Sequence, residues 1–142
     1  MADACVREIL FRGKRADNGK WVYGNLLQYL NGQSAILVEI GGLRVFSVIS
    51  FTVGQYTGLL DKYGTKIFEG DIIDMTGEDW DAAGPAGHVS PICAVEFDKF
   101  TGGFTPFADY DCDCGVYINA GGCKVVGNRW DNPELLEEKS DG

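Results

Sequence analysis

The chain lacks most of what would announce a chemistry. It holds one histidine, His88, and no run approaching the ~20 apolar residues of a membrane span. None of its glycines falls into G-x-G-x-x-G or G-x-x-x-x-G-K-[ST], so phosphate cradling is unsupported. No secretory signal is read in "MADACVREILFRGKR", which is too charged and too short in its apolar run. Five cysteines are an odd number and cannot all pair within one chain, so reduced thiols and a cytoplasmic location are expected. Positive charge is scarce as well. Between Glu69 and Asp113 eleven acidic residues face Lys99 alone, and the whole chain carries a net charge of −9. Such a balance disfavours non-specific binding to nucleic acid or anionic membranes, both of which need clustered Lys and Arg. The first thirty residues lean the other way, with Arg7, Arg12, Lys14, Arg15 and Lys20 against Asp3, Glu8 and Asp17.

What is abundant is glycine, with 20 residues in 142, about twice the usual ~7%. Without a fixed period, glycine at that density predicts many tight turns between short strands. "VREILFRG", "WVYGNLLQYL", "SAILVEI" and "LRVFSVI" read as four strands. Asp17-Asn18-Gly19, Asn31-Gly32 and Gly41-Gly42 between them supply hairpin signals. Nothing in this half has helical period, so residues 1–52 are expected to form an antiparallel β meander. Residues 53–142 are expected to form a second β module. There "QYTG" (Gln55–Gly58) and "DKYG" (Asp61–Gly64) read as turns, and "TKIF" and "IIDM" as short strands. "ICAVEFD" reads as one further strand, and "CKVVGN" as the last. Gly77 to Pro91 reads as an acidic loop. "NPELLEEK" is the one helical candidate, with Asn132 placed to cap and Pro133 at the first helical position.

Each constellation that tempts a chemical assignment has a structural counterpart. "DYDCDCG" opens like a calcium loop, but Cys114 and Ala120 stand where an EF-hand needs glycine and glutamate. As a strand it sets Asp109, Asp111 and Asp113 on one face and Tyr110, Cys112 and Cys114 on the other. Zinc would have to use Cys112, Cys114 and Cys123 with Cys93 or His88, although structural sites favour C-x₂₋₄-C pairs. Small, partly buried thiols are the simpler reading. His88 has no nucleophile tied to it by spacing. Trp21, Tyr23, Tyr29, Phe46, Phe51 and Phe68 are able to stack bases, but six aromatics in a small β protein are expected to be core. No catalytic residue, metal or cofactor is therefore assigned.

Four blocks occur in order along the chain. They are "VREILFRGK…NGKWVYGNLL", "VGQYTGLLDKYGTKIFEGDII", "AVEFDKFTGGF" and "VVGNRWDNPELL". Together they resemble the YopX family, small proteins encoded by phages and prophages of bacteria, over roughly Val6 to Glu137. The resemblance implies an N-terminal β meander joined to a small SH3-like β-barrel, and no established activity. On that view Gly54, Tyr56, Gly58, Asp61, Gly64, Gly70 and Asp71 determine the fold. The loop 77–91 and the "DYDCDC" stretch lie between the matching blocks.

The functional expectation is a non-enzymatic phage accessory protein that binds a host or phage protein, or itself, through exposed strand edges. Asp79, Trp80, Asp81, Asp109, Asp111 and Asp113 are its candidate partner contacts. A DNA mimic that blocks a host DNA-binding protein is the sharper alternative. A nucleic-acid-binding barrel using the basic N-terminal strand is the third.

Overall fold

In the computed structural model, residues 7–76, 92–99, 102–105 and 122–136 are described. They make the protein mainly β, with antiparallel pairing throughout the registered strands. The chain divides into two compact units, Met1–Gly58 and Leu59–Gly142.

The first unit contains β1 (Phe11–Lys14), β2 (Trp21–Gln28), β3 (Ser34–Glu39), β4 (Leu43–Val48) and the start of β5 (Gly54–Leu60). The order β4-β3-β2-β1-β5 is the expected meander with one strand added beyond it. Gln55 and Gly54 of β5 pair with Phe11 and Arg12, so "QYTG" is strand and not the turn its composition suggests. The long-range ladder to β1 supplies what local sequence could not show. A 3-10 turn, Ser50–Thr52, leads from β4 into β5.

Register decides the faces of this sheet. Phe11, Gly13, Val22, Gly24, Leu26, Ile36, Val38, Phe46 and Val48 share one side, where Ile36 and Val48 are buried. The sheet also turns back on itself. Arg15 bridges Val48, Ala16 N–H donates to the Ser47 carbonyl (2.8 Å), and Ile49 N–H donates to the Lys14 carbonyl (2.8 Å). The curl requires close backbone approach at Gly24, where a Cβ would overlap the Leu37 carbonyl. Thr52 fastens the end of the roll: Lys14 N–H donates to its hydroxyl (2.9 Å), which donates in turn to the Ile49 carbonyl (2.6 Å).

The second unit begins as β5 runs through Asp61 and a tight turn into β6 (Lys66–Phe68). It continues with β7 (Asp71–Asp74), β8 (Ile92–Ala94), β9 (Glu96–Asp98), β10 (Gly103–Thr105) and β11 (Lys124–Asn128). β11, β7 and β8 form a three-stranded sheet in that order, and β9 and β10 a two-stranded ribbon. Among the described residues these are open sheets. Ile67, Ile73, Met75, Val95 and Cys123 make the core, with Cys93, Phe104 and Val125 packed against it.

Two local expectations are corrected. "ICAVEFD" is broken at Val95 into β8 and β9, because Val95 is fully buried and spends its backbone on the preceding bend. Its N–H donates to the Asp71 carbonyl, and its carbonyl accepts from Gly70 N–H, both at 2.8 Å. Of the helical candidate "NPELLEEK", Glu137 to Lys139 lie outside the described residues, and Pro133–Leu136 form one 3-10 turn. The Asn132 side chain does not cap it but accepts the Asn128 N–H (3.2 Å).

Candidate functional site

The densest motif, Val53 to Ile73, proves to be a set of fastenings. Asp61 is buried, and its carboxylate accepts three backbone N–H groups. Tyr63 (2.8 Å) and Thr65 (2.9 Å) donate to Oδ1, and Val125 on β11 donates to Oδ2 (2.9 Å). Burial opposes ionisation, but these donors and the nearby Lys62 outweigh it and hold the pKa below the ordinary carboxylate value. Asp71, also buried, accepts the Phe68 N–H at 2.8 Å across the Glu69–Gly70 bend. At Gly70 φ is +93°, and a Cβ would overlap the Trp130 ring. Gly58 and Gly64 take φ of +90° and +84°. Gly54 and Tyr56 are buried in β5.

The C-terminal block "VVGNRWDNP" is the other half of this clasp. Arg129 N–H donates to the Gly70 carbonyl (2.9 Å), which holds Trp130 over the glycine. The Asn128 side chain accepts N–H groups from Trp130 (3.1 Å) and Asp131 (2.9 Å). Asn132 lies so close that a Cβ at Gly127 would collide with it. Two sequence blocks far apart in the chain are thus one structural feature.

The described thiols are equally quiet. Burial and the neighbouring Asp74 push the Cys93 thiol up to about 12. Burial and Asp61 raise that of Cys123, with Lys62 partly offsetting them. Thiols held protonated are poor nucleophiles and poor metal ligands. Among the described residues no group of three His, Cys, Asp or Glu side chains is placed to hold a metal. His88, Cys112 and Cys114, and the candidate contacts Asp79, Trp80, Asp81, Asp109, Asp111 and Asp113, lie outside the described residues.

The aromatic expectation is overturned. Of the six rings expected to be core, only Phe68 is buried, while Tyr23, Tyr29 and Phe51 are exposed, Phe51 at 75%. Trp21 carries the Arg12 guanidinium 4.5 Å from its ring centroid and the Lys14 ammonium at 5.5 Å. Phe46 carries Arg15 at 4.5 Å and Arg44 at 5.4 Å. Rings set beside cations on a thin sheet remain partly in water.

Among the described residues, a feature suited to recognition is the outer edge of β4, the terminal strand of its sheet. Ser47 and Ile49 use their backbone groups on the side away from β3. By alternation, Leu43 and Val45 also direct N–H and C=O outward. Their side chains are exposed, at 71% and 52%. Arg44 and Phe46 project on the opposite face. From sequence, "LRVFSVI" reads only as a strand. Its edge position depends on sheet order, which no local pattern encodes.

A small antiparallel β protein, fastened by side-chain clasps and, among the described residues, leaving the β4 edge open at Leu43 and Val45, is the class that fold and site define. The model of the YopX protein family matches residues 10–137, and the chain belongs to that family. It is similar to the crystal structure of protein EF1440 from Enterococcus faecalis, at 24% identity and a TM-score of 0.53, covering 93% of this chain and 100% of that one. That likeness shows the fold alone. No curated protein matches the chain. Among the described residues no helix is long and apolar enough to cross a membrane.

Proposed function

We propose that this protein is a non-enzymatic accessory protein of phage or prophage origin. It acts in the bacterial cytoplasm by docking a protein partner along the edge of β4. The observation that carries this reading is the run of outward backbone groups at Leu43 and Val45, flanked by side chains left in water. Unpaired edges are ready templates for a strand from another chain, and proteins that do not use them blunt them with charged side chains, proline or bulges; β4 carries one charge, Arg44, on the face away from Leu43 and Val45. The exposed residues Leu43 and Val45 do the opposite. Family membership supports an accessory role, and an SH3-like second module fits that membership.

The test compares the tagged native protein with Val45→Pro as baits in host lysate, washed at low and high salt. Proline at an outward-facing edge position removes no ladder bond, so the variant should fold. A partner retained by the native bait at high salt and lost by the variant is the expected result. Identical captures by both baits would sink the edge reading.

A second reading, nucleic-acid binding by the first unit, is favoured by the exposed rings and by charge. Residues 1–58 hold six basic and four acidic side chains, a net of +2, while residues 59–142 hold six and seventeen, a net of −11. A flat gel-shift titration with single- and double-stranded DNA at low salt would remove it. The DNA-mimic alternative rests on that acidic excess. It predicts a salt-sensitive host DNA-binding protein in the same capture.

A further inference from the structure

We infer that the occupant of the β4 edge is an extended segment of a separate protein, with an acidic residue set between two apolar ones. The inference rests on the edge-docking reading and specifies its partner.

The chemistry follows from the two faces of β4. On one face Leu43 and Val45 are exposed, and Leu37 lies beside Val45 across the β3 ladder. A partner strand in antiparallel register sets alternate side chains beside them, and apolar residues there remove apolar surface from water. On the other face Arg44 and Arg15 flank the Phe46 ring at 5.4 and 4.5 Å. Arg15 is already engaged by Asp17, 2.7 Å away. Among the described residues Arg44 has no carboxylate within ion-pair distance. The partner's intervening residue falls beside Arg44, and a carboxylate there meets an unneutralised guanidinium backed by an aromatic ring. Partial exclusion of water strengthens such a pair beyond an ordinary rim contact.

A second copy is a poor occupant, and the registers show why. Antiparallel self-pairing of Leu43 with Val45 places Arg44 opposite its own copy, and like charges directly opposite are destabilising. Pairing Val45 with itself brings Leu43 opposite Ser47, whose carbonyl already accepts from Ala16. Pairing Leu43 with itself recruits Gly41 and Gly42, whose φ of +62° and +130° are not extended.

The test uses ten-residue peptides with a Val-Asp-Val, Val-Asn-Val or Val-Lys-Val centre in an otherwise identical Thr-rich frame. Each is titrated to millimolar concentration into the full-length protein while backbone amide shifts are followed. The native protein should bind the aspartate peptide about tenfold more tightly than the asparagine one, as ~1.4 kcal/mol of charge pairing would give. Shifts should centre on Leu43–Phe46. Arg44→Glu should reverse the order in favour of the lysine peptide, which a merely structural arginine would not do. Equal binding of all three peptides by the native protein overturns the acidic partner and leaves edge docking standing. Failure of every peptide, together with lysate capture indifferent to Val45→Pro, overturns both. A concentration-dependent dimer abolished by Val45→Pro assigns the edge to a second copy instead. Displacement of the aspartate peptide by single-stranded DNA assigns Arg44 to a polyanion, and either result overturns the inference.

Discussion

In Met1–Gly58 backbone ladders predominate, with Asn18, Asn31 and Thr52 side chains accepting N–H groups at the turns, whereas in Leu59–Gly142 a denser set of side chains holds the bends. Asp61, Asp71, Asn128 and Asn132 each accept backbone N–H groups there, and Trp130 covers Gly70. The first unit leaves Tyr23, Tyr29, Leu43, Val45 and Phe51 in water around a small core at Ala35, Ile36 and Val48; the second gathers Ile67, Ile73, Met75, Val95 and Cys123 into a core while exposing Tyr63 and Phe97. Charge divides along the same line, +2 against −11. The difference teaches where to look for recognition. The residues that make the motif specific are engaged in holding bends. Among the described residues, the stretch of β4 edge at Leu43 and Val45 belongs to the unit whose sequence is more ordinary.

Gly70 is the place to break the comparison most severely. Gly70→Ala must adopt φ near +93° and overlap Trp130. The left-handed conformation costs about 1–2 kcal/mol and overpacking about 1–3 more. Urea unfolding should therefore show a loss of roughly 3–4 kcal/mol, a large share of the ~5–15 kcal/mol typical of a whole domain. A loss below about 1 kcal/mol would mean that the Trp130 clasp is ornamental.

Asp61→Asn should come next, at about 2 kcal/mol, because an amide cannot accept on both sides as the carboxylate does. The folded pKa of Asp61 is depressed, so its contribution is complete above the unfolded value of 3.8 and is lost as pH falls through the folded value. The stability gap between native and variant should accordingly be wide at pH 7 and shrink below pH 3.8. A gap that stays constant down to low pH would remove ionisation from the explanation.

These clasps also mark the limits of what the sequence makes legible. The meander is readable because Asn31-Gly32 and Gly41-Gly42 punctuate alternating runs, and such signals are local. The turns at Asp61–Gly64 and Glu69–Asp71 are readable for the same reason. The strand through Gln55–Gly58 is not, since its partner Phe11 lies more than forty residues away. Likewise the break at Val95 depends on Asp71, and Phe51 and Tyr29 fall in turns outside the strands, where they are exposed. The β4 edge could be seen only after the strand order was known. Family blocks located the bends correctly without revealing that "EGDII" and "GNRWD" are two sides of one contact.

Alkali gives a smaller effect within the second unit. The Cys93 thiol is raised from 9.0 to about 12, so its contribution is intact below pH 9 and declines from there until the folded thiol itself titrates near 12. At pH 10 the unfolded chain is favoured by about 1.4 kcal/mol through this one group. Cys93→Ala should flatten the alkaline limb of the stability profile. An unchanged limb would mean that the buried thiol is not coupled to unfolding.

The smallest effect sharpens the comparison most. Phe51 is 75% exposed and Leu43 71%. Replacing either with serine removes little buried area, and surface substitutions of this kind stay within about 0.5 kcal/mol. If urea midpoints for Phe51→Ser and Leu43→Ser match the native protein, these side chains do not serve the fold of the isolated chain. Were Leu43→Ser also to weaken peptide binding at the β4 edge while Phe51→Ser did not, recognition would be confined to the edge and separated from the exposed rings. A loss of 2 kcal/mol or more from either would instead mean that the side chain is covered in solution, and the contrast between a ladder-held unit with a free surface and a clasped unit with a core would fail at that residue.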